Sequence, residues 1–391
     1  MWLASNGPLK HRRYSRLATG AAWLALLLAP HVWAEDRIVL RNLEVIRGES
    51  VAALSVDGVQ LADQRLVGWD EIERITVTSA PQAEADRLLQ QVGGPLFRLR
   101  QRLTVGDYAN LLEPAEQIER LFAGRTGYAS LLVHQSLMWG RLAAGERERA
   151  LLPYVECLAN IGSDPKLAAR LPGTRRSTID NVGLCRELPP IWFDEAAARA
   201  VLPVVLQRVA AIPAARRPVA LYLYCGTLAA AAGDKAMAQR MAAAIPDRGR
   251  GGHWRAILEM QQAASEGGRA AVTELAEFDR LLADDRSLAL YWHAKLRLAQ
   301  AGSGDSANQE ARADALLQLL RIPAAYGSQQ PEVAAAALHE VTLQLEPTRP
   351  VQAVRVRREL LEHYRRTYYG RAASASPPAA GEAGSADSAE P

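Results

Sequence analysis

Residues 128–157 read YASLLVHQSLMWGRLAAGERERALLPYVEC, and apolar side chains recur on either side of Gly145 with the period of about 3.6 typical of a helix. A glycine at such a break can end a helix in the left-handed conformation. Ala150, Tyr154 and Cys157 follow Gly145 at +5, +9 and +12, which places them along one side of the second segment. These residues therefore predict two antiparallel helices joined by a short turn.

The same arrangement recurs further along the chain. Gly233 marks a second turn, with Gly226 seven residues before it and Ala238 five residues after it. A third pair spans Leu288–Leu320 and a fourth spans Pro331–Tyr364. This pattern resembles the tetratricopeptide repeat, which has a small residue on the first helix, a turn glycine and an alanine where the two helices touch. Small residues at these positions let the paired helices approach closely.

The resemblance is degenerate and covers about 130 to 180 residues. His134 and Tyr222 stand where the family has tryptophan, and Met138 stands where it has glycine or alanine. The resemblance implies a mainly α fold: an array of αα-hairpins over residues 81–371 with a long concave face.

Residues 163–195 interrupt the array with an irregular insert rich in proline and glycine. An insert of this length is usually functional or disordered, and the apolar Ile191-Trp192-Phe193 argues against disorder. Cys185 lies in this insert, whereas Cys157 and Cys225 lie in helical patterns. Export would permit a disulfide, and Cys157–Cys185 is the pair that the sequence favours.

A small β module is predicted over residues 36–78, before the helices. Strand patterns cover Arg37–Arg41 and Glu44–Val56, and Gly48 predicts a bend or bulge in the second. Asp57-Gly58 predicts a hairpin turn. This run of strand, bend and strand resembles small SH3-like or Sm-like barrels. At the other end, residues 372–391 are poor in large apolar side chains, which predicts a disordered tail.

Residues 1–34 have the layout of a secretory signal peptide. Four basic residues and no acidic residue come before the apolar run Leu17–Leu28. Pro30 follows this run, and Val32-Trp33-Ala34 then offers a cleavage motif. The run is shorter than the about 20 residues needed to span a bilayer. We expect cleavage after Ala34 and a periplasmic or extracellular protein without a later transmembrane segment. The alternatives are an uncleaved anchor or a twin-arginine route through Arg12-Arg13.

Composition and motifs exclude several functional classes. The 357 residues after Ala34 hold 42 basic and 43 acidic side chains, so no nucleic-acid partner is expected. None of the later histidines lies four residues from another, which gives no metal site. The loop Asp247–His253 is glycine-rich but lacks the end of a phosphate-binding loop, and Asp284-Asp285 suits a helix start. The sequence assigns no catalytic, cofactor-binding or metal-ligating residue.

The sequence therefore predicts a non-catalytic scaffold or adaptor that binds a protein partner in the cell envelope. The predicted interaction residues are Trp192 and Phe193 of the insert, with Tyr222, Tyr291 and Trp292 on the concave face. Burial of these aromatics in the core is the competing interpretation. The alternative function is an enzyme or a carbohydrate-binding protein with a pocket under the insert, which a deep cavity with convergent polar groups would favour.

Overall fold

The N-terminal module consists of two three-stranded antiparallel sheets, with strand orders β2-β1-β6 and β3-β4-β5. A computed structural model of the chain describes residues 35–173, 179–267, 278, 281–301 and 306–375. The strands are β1 Arg37–Leu40, β2 Val45–Arg47, β3 Val51–Ser55, β4 Gly58–Leu61, β5 Leu66–Val67 and β6 Ile72–Thr76. The predicted signal peptide lies outside the described residues.

Two glycines shape this module as the sequence predicts. Gly48 has φ +74° and divides the predicted long strand into β2 and β3. Gly58 follows the β3–β4 turn with φ +154°, and a Cβ there would lie 2.4 Å from the carbonyl oxygen of Val67. The indole of Trp69 is fully buried and donates to the Ser55 carbonyl at 2.7 Å.

A buried carboxylate fastens the start of the described chain to the rest of the module. Asp36 accepts hydrogen bonds from the backbone N–H groups of Val51 at 2.7 Å and Thr78 at 2.6 Å, and from the hydroxyl of Ser79. Burial alone would raise the pKa of Asp36, but these donors outweigh it and hold that pKa well below its usual range. The ionised carboxylate therefore joins β1 to β3 and to the end of β6.

The chain after the sheets is mainly α-helical, which confirms the predicted fold class. The helices are α1 Gln82–Leu88, α2 Gly94–Val105, α3 Leu112–Phe122, α4 Tyr128–Ala144, α5 Arg147–Ser163, α6 Leu167–Arg170, α7 Glu195–Ala211, α8 Ala220–Ala231, α9 Lys235–Ala244, α10 Arg250–Ser265, α11 Ala283–Ala301, α12 Ser306–Tyr326, α13 Pro331–Leu345, α14 Pro350–His363 and α15 Tyr368–Ala375. Between Pro81 and Ala375 the only β pairing among the described residues is a single bridge between Ile179 and Cys185.

The run Gly93-Gly94-Pro95 predicts a break between two helices, because glycine and proline interrupt helical patterns, and this prediction is wrong. Gly93-Gly94-Pro95 does not separate two helices, because a π-helical turn over Leu89–Gly93 joins α1 to α2. Gly93 lies against the β module, where a Cβ would be 3.2 Å from the Trp69 carbonyl oxygen. Pro95 is the second residue of α2, directly after this π-helical turn.

The predicted hairpins form where the turn glycines stand. Gly145 ends α4 with φ +80°, and Gly233 separates α8 from α9 with φ +79°. The contact alanines Ala150 and Ala238 are fully buried. A Cβ at Gly226 would approach Leu258 of α10 and Met241 of α9, so a small residue lets α8 pack on both helices. The turn of the third hairpin, residues 302–305, lies outside the described residues.

The first hairpin of the array also contacts its last elements. The guanidinium of Arg371 in α15 donates to the Ala143 carbonyl at the end of α4, at 3.0 Å. Arg147 at the start of α5 lies 3.7 Å from Glu332 of α13, and Glu332 accepts from the backbone N–H of Tyr368. The C-terminal elements α13 and α15 therefore contact the α4–α5 hairpin.

The insert is ordered where the structure describes it, over residues 163–173 and 179–195. It contains the short helix α6, and buried tyrosines hold its second half. Tyr154 donates to the Gly183 carbonyl at 2.6 Å, and Tyr224 donates to the Leu188 carbonyl at 2.8 Å. At the C-terminus, α15 extends to Ala375, past the predicted start of the tail at residue 372; residues 376–391 lie outside the described part.

The predicted Cys157–Cys185 disulfide is not formed in this structure. Cys157, Cys185 and Cys225 are all buried free thiols. Cys185 Sγ instead donates to the carboxylate of Glu187 at 3.3 Å. Burial raises the pKa of each thiol, to about 12 for Cys225, so all three are protonated near neutral pH.

Candidate functional site

Four of the five predicted interaction aromatics line one cavity of about 480 Å³. Trp192 and Phe193 come from the insert, and Tyr291 and Trp292 come from α11. Further wall residues come from α7 to α10 and from α15, so the cavity lies where the insert meets the middle of the array. Trp192, Tyr291 and Trp292 are buried and Phe193 is half-buried, so these rings belong to the core and border the cavity at once.

Tyr222 lies elsewhere. It is half-buried on α8 and does not line the cavity. Its hydroxyl accepts a long hydrogen bond of 3.5 Å from Arg217. The structure therefore brings together the aromatics of the insert and of α11, and leaves Tyr222 outside this group.

Thr227 of α8 forms hydrogen bonds with two residues that line the cavity, Trp192 and Gln261. Its hydroxyl accepts a hydrogen bond from Trp192 Nε1 at 2.9 Å and donates to the Leu223 carbonyl at 2.9 Å. Its carbonyl accepts from Gln261 Nε2 at 3.1 Å. A single turn of α8 thus fixes one ring of the insert and one glutamine of α10.

The aromatic side of the cavity joins the insert to the C-terminal helix. Phe193 packs on Tyr368 and Tyr369, with ring centroids 5.2 and 4.7 Å apart. Tyr369 stacks on His339 of α13 at 4.0 Å. Burial raises the pKa of Tyr369 and lowers that of His339, so both rings are neutral near pH 7.

Charged groups at the cavity are already paired within the chain. Lys235 lies 3.0 Å from Glu266, and Lys295 lies 2.6 Å from Glu340 of α13. Glu195 pairs with Arg199 one turn further along α7. Among the described residues that line the cavity there is no histidine or cysteine. The lining therefore combines aromatic surface, hydrogen-bonding groups and charges that are already paired.

Three buried polar atoms at the cavity have no hydrogen-bond partner among the described residues. They are Gln261 Oε1, Gln262 Nε2 and Trp292 Nε1. Buried donors and acceptors without a partner are costly and uncommon in folded proteins. Sequence analysis missed both glutamines, although the pair Gln261-Gln262 stands out at the end of an otherwise apolar helix face.

An ionic cluster ties the insert to α10 and α11. Arg250 pairs through Nε with Asp285 at 2.5 Å and through Nη1 with Asp180 of the insert. The indole of Trp254 also donates to Asp285, at 3.0 Å. We call Asp180, Arg250 and Asp285 the insert clasp. Sequence analysis placed Arg250 in the glycine-rich loop Asp247–His253 and Asp285 at a helix start, so it missed their contact.

The described residues also contain a possible metal-binding group. The one cluster of three suitable side chains there is Glu359, Glu362 and His363, which are exposed on α14. It lies on a different element from those that line the cavity. Exposed acidic clusters are common without an ion, and this one carries no functional assignment.

Comparison with known proteins gives no relative for this chain: no protein-family model, no curated protein and no solved structure matches it. Within the part of the chain that the structure describes, no helix is long and apolar enough to cross a membrane. The functional assignment therefore depends on the cavity and the side chains that surround it.

Proposed function

We propose that this protein is a non-catalytic adaptor that binds a segment of a partner protein in the cavity beneath the insert. The observation that carries the proposal is the convergence of Trp192, Phe193, Tyr291 and Trp292 on one cavity from distant parts of the chain. Aromatic anchors in partly desolvated pockets contribute most of the binding energy at protein interfaces. Loops held on a rigid helical frame are common places for binding residues.

The fold family that best fits this proposal is that of the tetratricopeptide-repeat proteins. The turn glycines and buried contact alanines of α4–α5 and α8–α9 support it. In such arrays the binding face is built from the first helices of the pairs, and here α8 and α11 contribute to the cavity. The insert and α15 then narrow an open groove to a cavity.

We propose further that the protein acts outside the cytoplasm, in the cell envelope, after cleavage behind Ala34. The basic start and short apolar run of residues 1–34 support this. N-terminal sequencing of the protein from the extracytoplasmic fraction should begin at Glu35. A full-length chain in the cytoplasmic fraction would contradict the proposal.

The binding proposal is tested by filling the cavity without removing a contact. Ala264 is half-buried on α10 and lines the cavity, so Ala264→Phe places a ring in it. Ala256 is half-buried on the same helix but does not line the cavity, so Ala256→Phe is the matched control. Both variants and the wild type are screened against a displayed peptide library, with thermal melts as a check of folding.

We expect the library to yield peptides that bind the wild type and Ala256→Phe but lose at least tenfold in affinity for Ala264→Phe. Equal binding to all three proteins would place the partner surface elsewhere. A library without any binder would contradict the adaptor proposal.

Carbohydrate binding is the second candidate. The specific observation that favours it is the pairing of indole rings with glutamine side chains at the same cavity, because saccharides offer both apolar ring faces and many hydroxyl groups. A glycan array probed with the same three proteins distinguishes the candidates. Glycan binding that Ala264→Phe abolishes, together with no peptide binding, would favour this function over the first.

A further inference from the structure

We propose that the outer face of the sheet β2-β1-β6 docks on a membrane surface that carries anionic phospholipids. Arg37, Arg47 and Arg74 bind the lipid phosphates, and Leu43 and Val45 contact the apolar layer beneath them. This sheet contributes no residue to the cavity beneath the insert, so the proposal is independent of the adaptor function. We call the outer side of this sheet the arginine face.

The strand registers bring the three arginines together. Arg37 of β1 lies directly opposite Arg47 of β2. On the other side of β1 its direct partner is Thr76 of β6, which makes Arg74 its diagonal neighbour. Directly opposite residues in an antiparallel pair have Cβ atoms about 4.5–5.5 Å apart, and diagonal neighbours are about 7–8 Å apart. The three arginines are all exposed, so one surface carries three closely spaced guanidinium groups.

The alternation of burial shows that this surface faces away from the core. Ile38 and Ile75 are paired with each other and are buried, and Ile46 is the partner of Ile38 on β2. Each of the three arginines stands one position away from one of these isoleucines. Because successive side chains of a strand point to opposite sides of the sheet, the arginines project outward while the isoleucines pack inward.

The positive charge of the arginine face is not neutralised by the chain around it. None of its three arginines forms an ion pair or a side-chain hydrogen bond within the part of the chain that the structure describes. Arg41 differs, because it pairs with Glu73 and lies 3.8 Å from the centre of the Phe97 ring. Glu35 and Glu44 stand just outside the ends of β1 and β2.

This arrangement is unfavourable for the sheet alone. Like charges directly opposite one another destabilise a strand pair, and Arg37 and Arg47 are such a pair. A bound anion relieves the repulsion and accepts hydrogen bonds from the guanidinium groups, which bind phosphate particularly well. The chemistry of the face therefore fits a ligand with several phosphate groups at a spacing that can adapt to the strands.

Apolar side chains at the same sheet favour a membrane as the source of these phosphates. Leu43, in the turn between β1 and β2, is 81% exposed and has φ +71°, a conformation that leucine rarely adopts. Val45 is 37% exposed and lies opposite Val39, on the side of the arginines. Basic and exposed apolar side chains together bind anionic bilayers through charge and shallow insertion. A single-stranded nucleic acid would instead use aromatic rings for stacking, and the strands of this sheet contain none.

The experiment measures co-sedimentation with vesicles of phosphatidylglycerol and phosphatidylcholine in equal parts, and with vesicles of phosphatidylcholine alone. Wild type and variants are purified in the same processed form, so that their N-termini are identical. The face variant replaces three arginines by glutamine at positions 37, 47 and 74. The control variant makes the same change at three exposed arginines on other elements, which also lack an ion pair among the described residues: Arg216, Arg248 and Arg321.

We expect wild type and control variant to prefer the anionic vesicles by at least tenfold, and added salt to weaken this binding because it screens exposed charges. The face variant should lose about 100-fold in affinity, since each arginine near an anionic surface contributes about fivefold. Leu43→Asn should lose about fivefold without a fall in melting temperature, because asparagine tolerates a positive φ. Val105→Asn is its control, since Val105 is 76% exposed at the end of α2.

Equal binding of the face variant and the control variant to anionic vesicles would overturn the proposal, and so would a wild type that does not bind them. Tighter binding to a single-stranded oligonucleotide than to vesicles, lost in the face variant, would assign the face to nucleic acid instead. Inorganic phosphate that binds the face when vesicles do not would indicate a free phosphate ligand and contradict membrane docking. If the face variant does not fold, Arg47→Gln alone decides: it should bind about fivefold more weakly without a lower melting temperature.

Discussion

Replacement of Arg250 by alanine tests the insert clasp. The change would leave the carboxylate of Asp285, whose side chain is 1% exposed, with the indole of Trp254 as its remaining donor. It would also remove the ion pair between α10 and Asp180 of the insert. Removal of one partner from a buried ion pair typically costs about 3–5 kcal/mol, because the other charge stays buried. Since Trp254 remains, we expect a loss of about 3 kcal/mol in the free energy of unfolding.

The assay is urea denaturation followed by tryptophan fluorescence, with Arg65→Ala as the control. Arg65 makes an equally well-formed pair with Glu49, at 2.8 and 2.9 Å, but both side chains are exposed. Exposed pairs contribute about 0–1 kcal/mol, so this variant should be nearly as stable as the wild type. The double variant Arg250→Met with Asp285→Asn removes the unpaired charge and should recover at least half of the loss. A cost for Arg250→Ala no larger than that of Arg65→Ala would refute the reasoning.

Three further outcomes are expected. Trp192→Ala should lower the free energy of unfolding by about 3–5 kcal/mol, because it empties a buried site. Trp192→Phe should lower it by only about 1 kcal/mol, because it loses the hydrogen bond to Thr227. Equal melting temperatures of the two variants would contradict this. Asp36→Asn should destabilise the β module by about 2 kcal/mol near neutral pH. The pKa of Asp36 is lower in the folded protein than its ordinary value of 3.8, so the carboxylate stabilises the fold fully above pH 3.8. This stabilisation is lost as the pH falls below that value. The free energies of unfolding of wild type and variant should therefore converge in acid. Thiol titration of the unfolded, unreduced protein should find three free thiols, and the native protein should react slowly; one free thiol would indicate a disulfide that this structure lacks.

Much of the fold could be predicted because local residues determine it. Gly48 and Asp57-Gly58 divide the β module, and Gly145 and Gly233 end helices through left-handed turns. These positions act on their immediate neighbours, so one sequence reveals them. The break predicted at Gly93-Gly94-Pro95 does not form; a π-helical turn carries the chain through, and Gly93 lies close to Trp69 of the β module, which no local pattern reveals.

The site was harder to predict because its pairs are distant in sequence. Trp192 and Trp292 were found as prominent aromatics, but nothing local shows that they share a cavity. Thr227 is an unremarkable helical threonine until its two partners are placed beside it. Arg250 was placed in the glycine-rich loop Asp247–His253, and its role depends on Asp180, which lies 70 residues earlier.

The contact of Arg371 with Ala143 joins residues 228 positions apart. In an open solenoid each repeat contacts only its neighbours, so stability is nearly a sum along one dimension and the ends can unravel alone. Here α15 contacts the first hairpin, α4–α5. We therefore expect α4–α5 and α13–α15 to exchange their amide hydrogens as one cooperative unit. An inserted or deleted helix pair between these elements would separate Arg147 from Glu332, so this contact ties the number of intervening helix pairs to the geometry of the fold.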